Sequence, residues 1–191
     1  SFTSAGGVTV NYIALRTTNG TWLPLDDGSG SVGVDNNVNA LAVDSARGTL
    51  WVGGGFRSCG SVPTCKRIAY FTIASVTSTL VTGTWHTLPD GSSNGVGSSV
   101  NAILLSPISD LVYIGGSFSS GAGGTTLNYM ATYNRSATGA AAVLGTFPAV
   151  PGARTVGTND YVTKLVWVTA GARAAIEPRA ASARSMSAIW S

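Results

Sequence analysis

The feature that most limits how this chain can fold is an internal repeat with an interval of 62 residues. Residues 38–56 read VNALAVDSARGTLWVGGGF, and residues 100–118 read VNAILLSPISDLVYIGGSF. Each copy contains an apolar run, a polar turn, a second apolar run and a glycine pair, with the same internal spacing. Repeats of such length are typical of architectures in which each unit buries its apolar surface against its neighbours.

Two further short apolar segments recur at similar intervals. The first lies at residues 11–15, 66–70, 128–132 and, more faintly, 184–188. The second lies at residues 21–25, 84–88 and 146–150. Each unit is therefore predicted to hold four short strands bounded by Gly, Asp, Asn and Ser turns, with no helical periodicity. The sequence predicts an all-β fold.

Units of this length with four strands match the blades of a β-propeller, in which each blade is a four-stranded antiparallel sheet. The predicted boundaries are a partial blade at 1–37, complete blades at 38–99 and 100–153, and a degenerate partial blade at 154–191. These make one propeller domain with about three blades, fewer than a closed ring needs. The sequence therefore predicts an incomplete ring.

The two end units depart from the pattern. In the last unit we assign residues 166–168 to the second strand, with Thr169 and Ala170 standing where the glycine pair is expected. Residues 1–7 match 117–124 in composition, so we expect the chain to open within a blade. The edges of an incomplete ring expose unpaired backbone groups, which favours pairing with further blades or a neighbouring subunit.

The order of strand, glycine pair, apolar strand and closing aromatic resembles kelch-type repeats. The Gly-Gly-x-Phe variant at 53–56 and 115–118 looks like the propeller repeats of large cell-surface proteins of the fungal polarity-marker type. The resemblance implies a propeller fold. It does not imply an activity, because propellers carry many unrelated functions.

Residues that perform acid–base or metal chemistry are scarce. The chain has one His (His86), one Glu (Glu177), two Lys and a net charge of +3 carried by scattered Arg residues. No G-x-S-x-G motif, no run of basic residues and no apolar stretch of about 18 residues occurs. We predict no catalytic residue, cofactor or metal site, no nucleic-acid partner and no membrane span.

The two cysteines, Cys59 and Cys65, enclose a five-residue loop after the first Gly-Gly-x-Phe motif. A disulfide between them is the favoured interpretation, and two free thiols are the alternative. A structural zinc site would need more Cys or His ligands than the chain offers. A disulfide would indicate an oxidising compartment.

Two sequons for N-linked glycosylation, at Asn19 and Asn134, fall at the same place in their units, between the third and fourth strands. Loops of this kind are exposed, as a glycan requires, although Asn also forms ordinary turns. Together with the disulfide, the sequons favour an extracellular or cell-surface protein.

Two other sequence patterns could in principle bind a ligand. Acidic turns at 26–30, 35–37 and 90–94 offer oxygen ligands for calcium, but they lack EF-hand spacing and are predicted to be ordinary turns. The tryptophans could stack on sugar rings, but their repeated positions favour packing between blades.

The leading functional hypothesis is therefore a non-enzymatic structural or adhesive propeller module of a cell-surface, matrix or filament assembly. Its expected partners are N-linked glycans and other proteins, or copies of itself joined at sheet edges. A carbohydrate-binding propeller is the first alternative. A non-catalytic segment of a larger kelch-type oxidase or hydrolase is the second.

Overall fold

The computed structural model describes residues 2–91, 93–138, 144–146, 158, 160–168 and 173–178. These ranges contain strands, turns and bends and no helix, so the all-β prediction is confirmed for them. The fourth-strand segment beyond residue 146 and everything predicted for 179–191, including the faint third strand at 184–188, lie outside the described residues.

The described residues form seventeen strands. They are β1 (Ser4–Ala5), β2 (Val8–Thr9), β3 (Leu15–Arg16), β4 (Trp22–Leu23), β5 (Leu25–Asp26), β6 (Val38–Asp44), β7 (Thr49–Gly54), β8 (Ile68–Val76), β9 (Val81–Thr87), β10 (Pro89–Asp90), β11 (Ser93–Asn94), β12 (Val100–Leu105), β13 (Leu111–Gly116), β14 (Met130–Asn134), β15 (Gly145–Thr146), β16 (Val162–Val168) and β17 (Arg173–Pro178).

The two complete repeats each contain an antiparallel run of four strands, as predicted. In the first repeat the order is β6-β7-β8-β9, and in the second it is β12-β13-β14-β15. The remaining sheets are the two-stranded pairs β1-β2, β3-β4, β10-β11 and β16-β17. Several small sheets thus stand in sequence, and none of them closes on itself within the described ranges.

One sheet has a fifth strand whose pairing the sequence did not predict. Strand β5 of the preceding unit pairs in parallel with β9, and the amide of Val81 donates to the carbonyl of Pro24 at 2.9 Å. The predicted strand at 21–25 is accordingly divided into β4 and β5. Proline 24 stands at the division, where it has no amide hydrogen to donate to a ladder.

The predicted third strands begin two residues too early in the complete repeats and four residues too early in the first unit. Asn11-Tyr12, Lys66-Arg67 and Asn128-Tyr129 all have positive φ, between 35° and 76°. Two successive left-handed residues cannot continue a strand, so each pair forms a turn instead. The strands that follow start at Ile68 and Met130 in the complete repeats.

Neighbouring units are joined by the same contact each time. The side-chain amide of Asn39 donates to the carbonyl of Val100 at 3.2 Å, and that of Asn101 donates to the carbonyl of Val162 at 3.3 Å. Each valine packs over a glycine of the unit before it, Gly53 or Gly115, where a Cβ would collide with its side chain. The units therefore stack side by side through a repeated interface.

This interface corrects our assignment of the last unit. Strand β16, which holds residues 166–168, takes the first-strand position rather than the second, because Val162 repeats the contacts of Val100. The same irregularity in pairing follows Val38, Val100 and Val162. In this register Glu177 and Pro178 of β17 occupy the positions of the glycine pair.

The buried core lies mostly within and between the repeats. Trp51 of the first repeat is buried in a cluster with Val112 and Ile114 of the second. Trp85 is buried in the other large cluster, with its ring centroid 4.9 Å from that of Phe71. These two tryptophans serve packing, as the sequence predicted. Trp22 is half-buried with the Arg16 guanidinium 5.8 Å above its ring, and Trp190 lies outside the described residues.

Candidate functional site

The predicted disulfide between Cys59 and Cys65 is present, with the two Cα atoms 6.0 Å apart. Both residues are fully buried in the core of the first repeat. Within the loop, Cys59 and Val62 exchange both backbone hydrogen bonds, at 2.9 and 3.0 Å. A disulfide is typical of oxidising compartments, which agrees with an extracellular location without establishing it.

Removing the disulfide is expected to lower the free energy of unfolding by about 2 kcal/mol, because the cross-link restricts the unfolded loop. Cys59→Ser with Cys65→Ser tests this by urea denaturation. A matched variant, C59G/C65L, installs the residues found 62 positions later, Gly121 and the buried Leu127. We expect it to be more stable than the double-serine variant, since leucine fills the core. Equal midpoints for the oxidised and reduced chain would contradict the prediction.

Both sequon asparagines are exposed. Asn19 lies in the turn between β3 and β4, and Asn134 is the last residue of β14, so each lies at or just beyond the end of a third strand. The Oδ1 atoms accept hydrogen bonds from the amides of Thr21 at 3.3 Å and Ser136 at 3.0 Å. Glycosylation at either position stays a prediction.

The acidic turns use their carboxylates to hold backbone amides. Asp27 accepts from the amide and hydroxyl of Ser61, at 2.7 and 2.8 Å, and so ties its turn to the disulfide loop. Burial would raise the pKa of Asp27, but its hydrogen bonds from Ser29 and Ser61 outweigh burial and lower that pKa. Asp35 accepts from the amides of Arg57 and Ser58, at 2.7 and 3.1 Å. In the described part of the chain, no three His, Cys, Asp or Glu side chains group together as metal ligands would.

A charged cluster that the sequence did not reveal joins the two complete repeats. Arg135 Nη1 lies 2.6 Å from Asp44 Oδ2, and its Nη2 donates to the carbonyls of Ser106 and Ser109 at 3.0 and 2.7 Å. Only 8% of the Arg135 side chain and 5% of Asp44 are exposed. Arg47 adds a more exposed bond to Asp44 at 3.3 Å. The residues of the main pair are 91 positions apart, so no local pattern links them.

The single histidine packs as a strand residue. His86 lies in β9 with its ring stacked on Tyr70, the centroids 4.6 Å apart and the planes 11° from parallel. Burial lowers its pKa below the ordinary value. The predicted lack of enzymatic activity is not tested by this arrangement and stays a prediction.

Two equivalent grooves lie between successive units on the side of the left-handed pairs. The first, of about 380 Å³, is lined by residues that include Asn11, Asp35 and Ser58 and by no cation among the described residues. The second, of about 650 Å³, is lined by Arg57, Lys66 and Arg67. We refer to it as the basic groove. Our sequence prediction treated Arg57 and Arg67 as scattered charges, although the alignment of Lys66-Arg67 with two Asn-Tyr pairs already marked the position as unusual.

Comparison with known proteins finds no matching protein family, no similar curated protein and no similar solved structure. The resemblance to kelch repeats therefore stays a prediction. No helix in the described ranges is long and apolar enough to cross a membrane.

Proposed function

We propose that this chain is a non-enzymatic structural or adhesive module, built of β-propeller blades, in an extracellular or cell-surface assembly. The observation that carries the proposal is an apolar sheet face at one end of the stack of units. Leu41 and Val43 of β6 are 54% and 68% exposed. Exposed apolar side chains next to each other on an edge strand favour association.

The equivalent face of the next repeat is covered. Ile103 and Leu105, which stand 62 positions after Leu41 and Val43, are half-buried against the cluster that contains Trp51 of the first repeat. The face of β6 therefore exposes apolar side chains at the positions where the next repeat packs against its neighbour. We propose that a repeat unit of a neighbouring copy of this chain packs there.

Two observations support the proposed extracellular location: the disulfide loop and the exposure of both sequon asparagines. Disulfides and exposed sequons are typical of secreted proteins. Asn19 lies in the turn after β3, and Asn134 is the last residue of β14.

The test is sedimentation velocity across a range of protein concentrations. We expect the chain to associate as concentration rises, and the variant L41K/V43K to remain a single chain because lysines cannot be buried in the contact. The matched control V76K/I108K adds the same charge at two other exposed apolar positions and should associate like the unaltered chain. A single-chain mass for the unaltered chain at every concentration would overturn the proposed role in assembly.

A further inference from the structure

The basic groove carries positive charge that the fold does not neutralise. Within the described ranges, ion pairs form at Asp44 and Asp110 with Arg47 and Arg135, and no carboxylate pairs with any of the three cations of the groove. No described acidic residue lines the groove. An uncompensated group of cations around a concave surface attracts anions.

The hydrogen bonds of Lys66 and Arg67 within the protein do not neutralise their positive charge. Lys66 Nζ donates to the hydroxyl of Ser93, and Arg67 Nη1 donates to the carbonyl of Val96 at 2.8 Å. Both acceptors are neutral. Burial, and the positive charge of Arg57, lower the pKa of Arg67, as expected where two cations share a partly enclosed space.

The nearest carboxylates already have backbone partners. Asp90 lies beneath Gly121 of the groove wall and accepts from the amide of Gly123 at 2.5 Å. Asp35 accepts from the amides of Arg57 and Ser58. Both carboxylates hold loops in place rather than pairing with the cationic side chains.

The backbone under the cations is strained, and the fold does not require these residues there. Lys66 and Arg67 have φ of 35° and 76°, a region that long side chains rarely adopt. In the units on either side, an Asn-Tyr pair forms the same turn, at Asn11-Tyr12 and Asn128-Tyr129. Asn tolerates the left-handed region better than Lys does. Lys66 therefore adds strain that the turn does not need, which points to a function, whereas Tyr12 and Tyr129 share the left-handed φ of Arg67.

The loop that precedes the cations is cross-linked. Cys65, bonded to Cys59, is the residue directly before Lys66. In the next repeat the corresponding positions are Gly121 and Leu127, so the cross-link and the cations occur in the same unit. A loop held rigid before binding loses less conformational freedom when a ligand arrives.

From these observations we infer that the basic groove is a binding site for a small ligand that carries a carboxylate, sulfate or phosphate group. Arg57 and Arg67 supply planar guanidinium groups that bind such oxygens in pairs, and Lys66 supplies a third positive charge. The volume of about 650 Å³ is in the range of small-molecule sites.

The test is calorimetric titration of the chain with citrate, inorganic sulfate and inorganic phosphate at moderate ionic strength. We expect at least one to bind, and its affinity to fall at least tenfold in the variant K66N/R67Y. That variant carries the residue pair of the neighbouring units and should melt at the same or a higher temperature. Arg57→Gln, at an exposed side chain, should also weaken binding. The strongest of the three anions identifies the oxyanion class.

The control variant R16Q/K164Q removes the same amount of positive charge at positions outside the groove and should bind as tightly as the unaltered chain. Three results would each overturn the inference. They are no binding of any of the three anions, equal binding by K66N/R67Y, and an equal loss in R16Q/K164Q.

Discussion

Replacement of Arg135 by methionine is expected to lower the free energy of unfolding at neutral pH by about 3–5 kcal/mol, since it leaves a buried carboxylate without its partner. Methionine fills a similar volume but cannot donate to Asp44 or to the carbonyls of Ser106 and Ser109. These contacts join β6 of the first repeat to the loop and strand end of the second. The loss should therefore affect the stability of both repeats together in urea denaturation.

The pH dependence separates the charge effect from lost packing. Burial would raise the pKa of Asp44, but hydrogen bonding and charge from Arg135, with help from Arg47, lower it below 3.8. A lowered folded-state pKa contributes stability above the unfolded pKa, and this contribution is lost as pH falls through the folded pKa. In R135M, burial should dominate and raise the pKa of Asp44. The stability difference should therefore shrink as pH is lowered from about 7 to about 4.

The control is Arg47→Gln. Arg47 is 38% exposed and its second partner, Asp110, is exposed as well, so solvent screens the pair. Little change in the melting temperature is expected. If R135M were as stable as R47Q, or if its loss were independent of pH, the buried pair would not have the role assigned to it.

Replacement of Gly54 by alanine is expected to destabilise the chain by about 1–3 kcal/mol or more, because the added methyl group has no room. A Cβ at this position would overlap the backbone oxygen of Asn37, which cannot move aside as a side-chain end could. Gly116 faces Ser99 in the same way, so Gly116→Ala should behave alike. Thermal unfolding of both variants measures the effect.

The adjacent glycine provides the matched control. A Cβ at Gly55 would meet Ser99 Oγ at 3.7 Å, which is ordinary contact, and Gly55 does not have positive φ. Gly55→Ala should change stability by no more than about 0.5 kcal/mol. If Gly54→Ala and Gly55→Ala lowered stability equally, the close approach of Gly54 to the backbone of Asn37 would not be the reason for the effect.

The repeat made the four strands of each complete unit predictable, since alternating apolar runs and Gly-rich turns are properties of neighbouring residues. The parallel pairing of β5 with β9 was missed because it joins Leu25 to Val81, residues that are far apart in the chain and that no local pattern links. The register of β16 was also misassigned. Its apolar run resembles a second strand in composition, whereas its place is fixed by the contact of Asn101 with Val162.

The all-β class, the spacing of the units and the favoured pairing of the two cysteines could be predicted from the amino-acid sequence. Each of these follows from residues close together in the chain or from the interval between copies. Three features became visible only in the folded chain: the contact of Asp44 with Arg135, the exposure of Leu41 and Val43, and the three cations that border one groove. The first two features depend on how whole units stack, and the groove depends also on the left-handed conformation of Lys66 and Arg67. Local apolar patterns encode neither of these.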